Sequence, residues 1–370
     1  MNDPDELAAR FRAFASDARA RAPLYGHLAE QIADDPATGR LLLHAPEEQR
    51  LPVLLFACVH WLLLDEPGQA LARHYPNLNP NLVSTSRGTS PTHASHGETS
   101  TVETTDPFPE FRQFCLRHEP HLATLLATRS TQTNEVGRCA TLVPVIDVVA
   151  REIGPVAIVD VGSSAGLNLL FDRYAYRYDP GGSLGEPSPV VLPCGTRGAV
   201  PIPDRFPSIA ARIGLDRSPI DLADHDAARW LEACVWPDQA DRFHRLHAAI
   251  GLAQIDPPAV RAGDAVDDLA ATIALVAEAA HPVVLNTWVL NYLSETQRRA
   301  YVDQLDRLGA SSDLSWIYAE MPSLVSGIPV PDDPDRVHRT VVTLVRWRDG
   351  IRTVEHVADA HPHGWWIHWR

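Results

Sequence analysis

The sequence predicts an α/β protein: an open, mostly parallel sheet ending in an antiparallel hairpin, preceded by a helical region. Three observations predict it. From about residue 155 to 360, short apolar runs alternate with helical segments, as expected of a sheet covered on both faces. A glycine turn, Gly162-Ser-Ser-Ala-Gly166, leaves the first of those runs. Before about residue 150 the apolar residues keep a helical spacing and no strand is convincing. The expected division is a helical cap region over 1–135 and an α/β domain over 136–370.

Each element follows from its own residues. Leu7, Phe11 and Phe14 share one helical face, as do Leu24, Leu28 and Ile32. The longest apolar stretch, Leu51 to Leu64, holds Pro52 and His60 and stops at Asp65. It falls short of the ~20 residues a bilayer span needs and reads as a buried helix. Over 84–105, 12 of 22 residues are Ser or Thr, too few apolar groups to offset the entropy of ordering, so a disordered loop is expected. Helices resume with Phe108, Phe111 and Cys115, and again from Gly137 to Ile153, ended by Gly154-Pro155.

Val156 to Val161 is apolar and β-branched, as a parallel strand buried on both faces should be. A helix to about Arg173 should follow its turn. Tyr174 to Val200, rich in Gly and Pro, reads as a hairpin or loop excursion. Strands are then expected at Ala211–Asp216, Pro258–Asp264, Pro282–Thr287 and Leu314–Glu320, with helices over 224–252, 266–279 and 294–308 between them. Arg339–Trp347 and Arg352–Val357 flank Asp349-Gly350, a hairpin signal.

Composition narrows the chemistry. The chain of 370 residues has no lysine, and all 32 basic residues are arginine. Schiff-base lysines, Walker-type phosphate-gripping lysines and lysine general bases are therefore excluded. Forty-seven acidic residues give a net charge of −15, which argues against nucleic acid as a partner. The amino-terminal residues show neither a basic nor an apolar signal region, so a cytoplasmic protein without a membrane span is expected. Five scattered cysteines, never paired as C-x-x-C, read as reduced thiols packed as small hydrophobes. The 17 histidines show no metal-binding spacing.

The glycine turn in Val159-Asp-Val-Gly162-Ser-Ser164-Ala-Gly166-Leu-Asn168 has several readings. Glycines at 162 and 166 let the backbone turn sharply beneath a ligand, with Asp160 at the strand's carboxyl end. Gly162-x-Ser164-x-Gly166 also matches the G-x-S-x-G nucleophile elbow of serine hydrolases, with Ser164 as nucleophile and His361 or His363 later in the chain. The upstream region is helical, however, whereas that elbow normally follows several strands. A dinucleotide site needs a third glycine where Ser164 stands. The turn is also compatible with an α/β protein that binds nothing there.

The first reading resembles the D/E-x-G-x-x-x-G turn of class I S-adenosylmethionine-dependent methyltransferases. The resemblance continues along the chain: Asp216 resembles the acid ending the second strand, with Asp179 as its competitor, and Arg261-Ala-Gly-Asp264-Ala265 resembles the turn beside the adenine. Leu285-Asn286-Thr-Trp288-Val-Leu-Asn291-Tyr292 resembles the substrate-facing end of the fourth strand. It implies a Rossmann-like methyltransferase sheet, S-adenosylmethionine as cofactor and a small-molecule methyl acceptor. Cofactor contacts would come from Asp160, Gly162, Ser163, Ser164, Gly166, Asn168, Asp216, Asp264 and Ala265.

Blocks at 131–138, 161–169, 229–239, 262–264, 288–292 and 361–364 also resemble a bacterial family known only as a domain of unknown function. In the first of these, Gln132, Asn134, Glu135 and Arg138 form a polar cluster. A helix start accounts for such residues. As a site, Arg138 would pair with the cofactor carboxylate, with Asn134 or Glu135 at its ammonium or orienting the arginine. Trp288 and Asn291 would line the substrate pocket, Asn286 or Tyr292 would hold the acceptor, and His363 or His361 would serve as base.

Overall fold

The computed structural model describes residues 4–79, 105–325, 327–328 and 339–370. It forms two compact units, one of Met1–Thr133 with His225–His244, the other of Asn134–Asp224 with Arg245–Arg370. Most of the Ser/Thr-rich stretch 84–105 lies outside the described residues.

The first unit is helical. Its helices include Pro4–Ala18, Pro23–Ala33, Pro52–Asp65, Phe108–Arg117, Glu119–Thr128 and His225–Ala233. Prolines open several of them, where the missing amide costs nothing. The apolar helix Pro52–Asp65 buries residues on all sides, Leu55, Phe56, Val59 and Leu63 among them, within a core that includes Phe11, Tyr25, Phe111 and Trp230. His60 is accommodated there as a neutral ring. Its Nδ1 donates to the Ala233 carbonyl at 3.0 Å, its Nε2 accepts from Asn77 at 2.9 Å, and burial lowers its pKa to about 4.

The second unit is built on one eleven-stranded sheet. Its strands are β1 (Val156–Val161), β2 (Ala175–Asp179), β3 (Gly182–Leu184), β4 (Val191–Arg197), β5 (Ile209–Asp216), β6 (Val260–Ala262), β7 (His281–Thr287), β8 (Leu314–Glu320), β9 (Thr340–Arg348), β10 (Ile351–Ala360) and β11 (Trp366–Trp369). Their order is β3-β2-β4-β11-β10-β9-β8-β7-β1-β5-β6. The block β6-β5-β1-β7-β8 is parallel throughout. The hairpin β9–β10 adds antiparallel strands beside β8, turning through Asp349 and Gly350 at positive φ. Helices Leu269–Ala277 and Glu295–Ser311 connect β6 to β7 and β7 to β8. The second has a full capping box, Ser294 with Gln297.

The excursion 174–200 contains the expected hairpin, β2 with β3, and adds a strand, β4, that runs parallel to both β2 and β11. One local expectation is corrected. The segment after the glycine turn is not an α-helix. It forms 3-10 turns over Leu167–Arg173 with a kink at Leu170, because side chains take the carbonyls that an α-helix would use. Tyr174 and Tyr176 donate to Leu167 and Phe171 at 2.7 and 2.6 Å, and Arg212 donates to Leu169 at 2.6 Å. The short strand β11 was not anticipated by the alternation. Among the described residues, no helix is long and apolar enough to cross a membrane, and all five cysteines are free.

Candidate functional site

Because the parallel strands run β6-β5-β1-β7-β8, the chain leaves β1 toward one side of the sheet and later fills the other. Open α/β sheets bind ligands outside the carboxyl ends of the strands at such a reversal. Here β1 ends at Val161, paired with Asn286 of β7. Gly162 follows β1 at φ +71°, and Ser164 and Gly166 lie at +55° and +73°. Trp288 follows β7 at φ +57°. Among the described residues the non-glycine positions at positive φ are Ser164, Trp288 and Asp349; the last is a hairpin turn, while the other two flank the reversal. Such backbone costs about 1–3 kcal/mol per residue and persists only where its surroundings fix it.

The surroundings are specific. Asp216, ending β5, accepts the Ser164 amide on Oδ2 and the Ser218 amide on Oδ1, both at 2.8 Å. Gly162 has no room for a Cβ, which would overlap the Val289 side chain, so the turns after β1 and β7 interlock. Asn134 donates to the Ser163 carbonyl at 3.3 Å. Three polar atoms are buried here with no hydrogen-bond partner: the hydroxyls of Ser163 and Ser164, and Oδ2 of Asp160. Buried polar groups are rarely left so.

Two buried carboxyls lie beneath the turns. Burial and the neighbouring Asp216 raise Asp160 to about 7, against the pull of Arg138. Burial also raises Glu320, the last residue of β8, to about 7, although hydrogen bonds and Arg138 oppose it. Glu320 Oε1 accepts from Asn286 Nδ2 at 2.7 Å and from the Val289 amide at 2.8 Å, and Oε2 accepts from the Leu290 amide at 3.3 Å. It anchors the turn that carries Trp288. Sequence reasoning missed Glu320 because a strand-ending acid is ordinary; the analogous position of Asp160 at the end of β1 was the available signal.

A second cluster joins segments more than 200 residues apart. Glu135 Oε1 accepts the Gly137 amide at 3.0 Å and Oε2 lies 3.3 Å from His363 Nδ1. Arg138 donates from Nε to the Pro362 carbonyl at 2.9 Å and from an Nη to the Thr287 carbonyl at 3.0 Å, with its guanidinium 5.9 Å from the Trp288 ring centroid. A Cβ on Gly137 would overlap the His363 carbonyl, and one on Gly364 would overlap Gly137. The two glycines allow backbone-to-backbone contact.

The other candidates divide. Asn168 is buried and accepts from Cys139 Sγ at 3.4 Å. Asp264 caps its own turn, accepting the Val266 amide at 2.8 Å and pairing with Arg217 at 2.9 Å, and these bonds hold its carboxyl below the usual range against desolvation; Ala265 beside it is half-buried. Asn286 lies fully buried beneath the site, its amide spent on Glu320, Trp316 and Tyr301. Asn291 and Tyr292 stand exposed on the turn Leu290–Tyr292, and the half-buried Trp288 donates from Nε1 to Thr340 at 2.8 Å. Asp179 lies on β2, separated from β1 by β4, β11, β10, β9, β8 and β7 in the sheet order, whereas Asp216 touches the turn itself.

The model of a family described as an uncharacterized protein conserved in bacteria (DUF2332) matches residues 8–369. No curated protein matches the chain. With almost the whole sequence spanned, the chain belongs to the DUF2332 family of bacterial proteins.

Proposed function

We propose that the chain binds S-adenosylmethionine across the turn after β1 and transfers its methyl group to a small molecule. One observation carries the reading: at the reversal of strand order, a left-handed turn is held by the carboxylate that ends the adjacent strand, Asp216 on the Ser164 amide. The residues present suit the cofactor. Each Asp216 oxygen accepts one amide and keeps a lone pair for one hydroxyl of a ribose diol. The unpartnered Ser163 and Ser164 hydroxyls and Asp160 Oδ2 suit the polar methionyl end, and Asp264 with Ala265 would border the adenine. Arg138 sets positive charge near both Asp160 and Glu320 and ties the turn after β7 to the 361–364 segment. The cofactor supplies an activated methyl group; the protein's part is to align an acceptor in line with it and exclude water.

Calorimetric titration with S-adenosylmethionine and S-adenosylhomocysteine tests this reading. Binding is expected, weakened at least tenfold by Asp216→Ala and by Arg138→Ala. Absence of binding at millimolar cofactor would remove the reading. A serine hydrolase is the second reading, favoured by the positive φ of Ser164, since nucleophile elbows hold their serine on a strained turn. Against it, Ser164 Oγ has no hydrogen-bond partner, histidine included. Labelling of Ser164 by a fluorophosphonate would establish it.

A further inference from the structure

Resting on the methyl-transfer reading, we propose that Val289 is a positioning residue that braces the cofactor turn against the turn after β7, so that occupying the first orders the second. Cofactor then precedes acceptor. Each turn contains a strained residue that is not glycine, Ser164 at φ +55° and Trp288 at φ +57°. Such backbone persists only where its surroundings fix it. Here each turn is part of the surroundings of the other.

The brace is a single side chain. Val289 follows Trp288, and Gly162 precedes Ser164 by two residues. The Gly162 backbone, at φ +71°, lies so close to Val289 that a Cβ there would overlap both Cγ atoms and stand 3.2 Å from the valine Cβ. Valine is stiff at χ1 because Cβ carries two heavy atoms, so its methyl groups do not swing aside when the glycine turn shifts. The backbone of the residue is fixed as well. Its amide donates at 2.8 Å to Oε1 of Glu320, a fully buried side chain that also accepts from Asn286 at 2.7 Å. Movement at the valine methyls is therefore passed to the backbone beside Trp288.

The two ends of this chain of contacts would meet different ligands. On the cofactor side, Asp216 holds the Ser164 amide at 2.8 Å and would take the ribose hydroxyls. On the acceptor side, Trp288 is pinned through its amide to the Ala319 carbonyl at 3.0 Å and through Nε1 to Thr340 at 2.8 Å. Those bonds leave the tip of the turn. Leu290–Tyr292 is one 3-10 turn with Asn291 and Tyr292 exposed, and its Leu290 amide reaches Glu320 Oε2 at a longer 3.3 Å. Exposed tips of this kind open at low cost. Contact alone does not make coupling; the two strained turns supply what can relax. A cofactor that fixes Asp216 and Ser164 removes freedom from Gly162 and, through Val289, from the tip. An acceptor arriving second meets an ordered turn and loses less entropy, which is positive cooperativity without a change of fold.

The test uses the full chain, S-adenosylhomocysteine and amide hydrogen exchange read by mass spectrometry. In the wild type the ligand should slow exchange over 289–292 by about fivefold or more. Val289→Ala, a change at a half-buried position, should leave the protein folded and weaken the ligand by about tenfold. At saturating ligand it should lose the slowing over 289–292 and keep it over 162–166. Val289→Thr retains two heavy atoms on Cβ and should restore both responses to within about twofold of the wild type. A merely structural contact would not tie the ligand response of one turn to the branching of a side chain on the other. A double-mutant cycle tests the brace without ligand: Gly162→Ala should lower the denaturant midpoint, and adding Val289→Ala should raise it again, although Val289→Ala alone lowers it. A further fall in the double variant overturns the inference. Ligand binding that leaves 289–292 unchanged in the wild type, or slowing that survives Val289→Ala, overturns it while methyl transfer stands. No binding at millimolar ligand removes methyl transfer and the inference together. Should Gly162→Ala fail to fold, the exchange of the wild type and of Val289→Ala decides.

Discussion

Replacing Asp160 with asparagine should stabilise the protein, and only at high pH. The carboxyl is fully buried, its Oδ2 has no hydrogen-bond partner, and its pKa stands at about 7 instead of an ordinary 3.8. Between those two values the folded state holds a proton that the unfolded state has lost. Stability therefore falls as pH rises through this window, is lowest above about pH 7, and is unaffected by this group below about 4. The gap corresponds to about 4 kcal/mol at about 1.36 kcal/mol per pH unit. Local relaxation around an ionised side chain reduces such penalties, leaving an expected gain for Asp160→Asn of about 1–3 kcal/mol at pH 8. At about 2–4 °C per kcal/mol, melting by differential scanning calorimetry should rise by several degrees at pH 8 and by almost nothing at pH 4. An amide is tolerated because the second oxygen accepts no bond that the NH2 group would break. Equal destabilisation at both pH values would refute the reasoning and make Asp160 an ionised partner of Arg138. If the turn binds a cationic cofactor, the same substitution should weaken that binding, trading function for stability.

Gly162→Ala places a Cβ both at positive φ and into Val289, and should cost at least about 2 kcal/mol in denaturant unfolding; a neutral result would mean that the turn is not held as described. Glu320→Ala removes the acceptor of Asn286 and of the Val289 and Leu290 amides. A loss of about 3 kcal/mol or more is expected, with faster hydrogen exchange at Val289 and Leu290, and unchanged exchange there would contradict the anchoring role. Asp216→Asn keeps one acceptor but sets an NH2 group against an amide that the carboxylate now accepts; exchange of the Ser164 or Ser218 amide should quicken, and protection of both would refute the contact.

Much of the second unit was legible because local and global signals agree there. Val156–Val161 is β-branched and apolar and becomes a strand buried along its length; Asp349-Gly350 supplies the two positive φ values its hairpin needs. The excursion was harder. Tyr176 and Tyr178 are buried while Arg177 and Asp179 are exposed, a period of two that was present but interrupted by glycine and proline. Four residues of β11 are too few to show any period. The glycine turn and Asp216 were visible as an ordered series of motifs, whereas the meeting of Glu135 with His363 depends on a contact across more than 200 residues, which no local pattern encodes. Asn286 was visible as a strand-end polar residue, but its complete burial and its bond to the equally buried Glu320 were not.

The position of β11 between β10 and β4 has a consequence in time. Strand β4 finds its neighbour toward the main sheet only in residues 366–369, about 170 residues later in the chain. At a synthesis rate of about 5–20 residues per second, β4 waits roughly 10–30 s with an open edge. Any sheet that β2, β3 and β4 build in that interval keeps the edge of β4 open, the kind of surface on which a second nascent chain can pair.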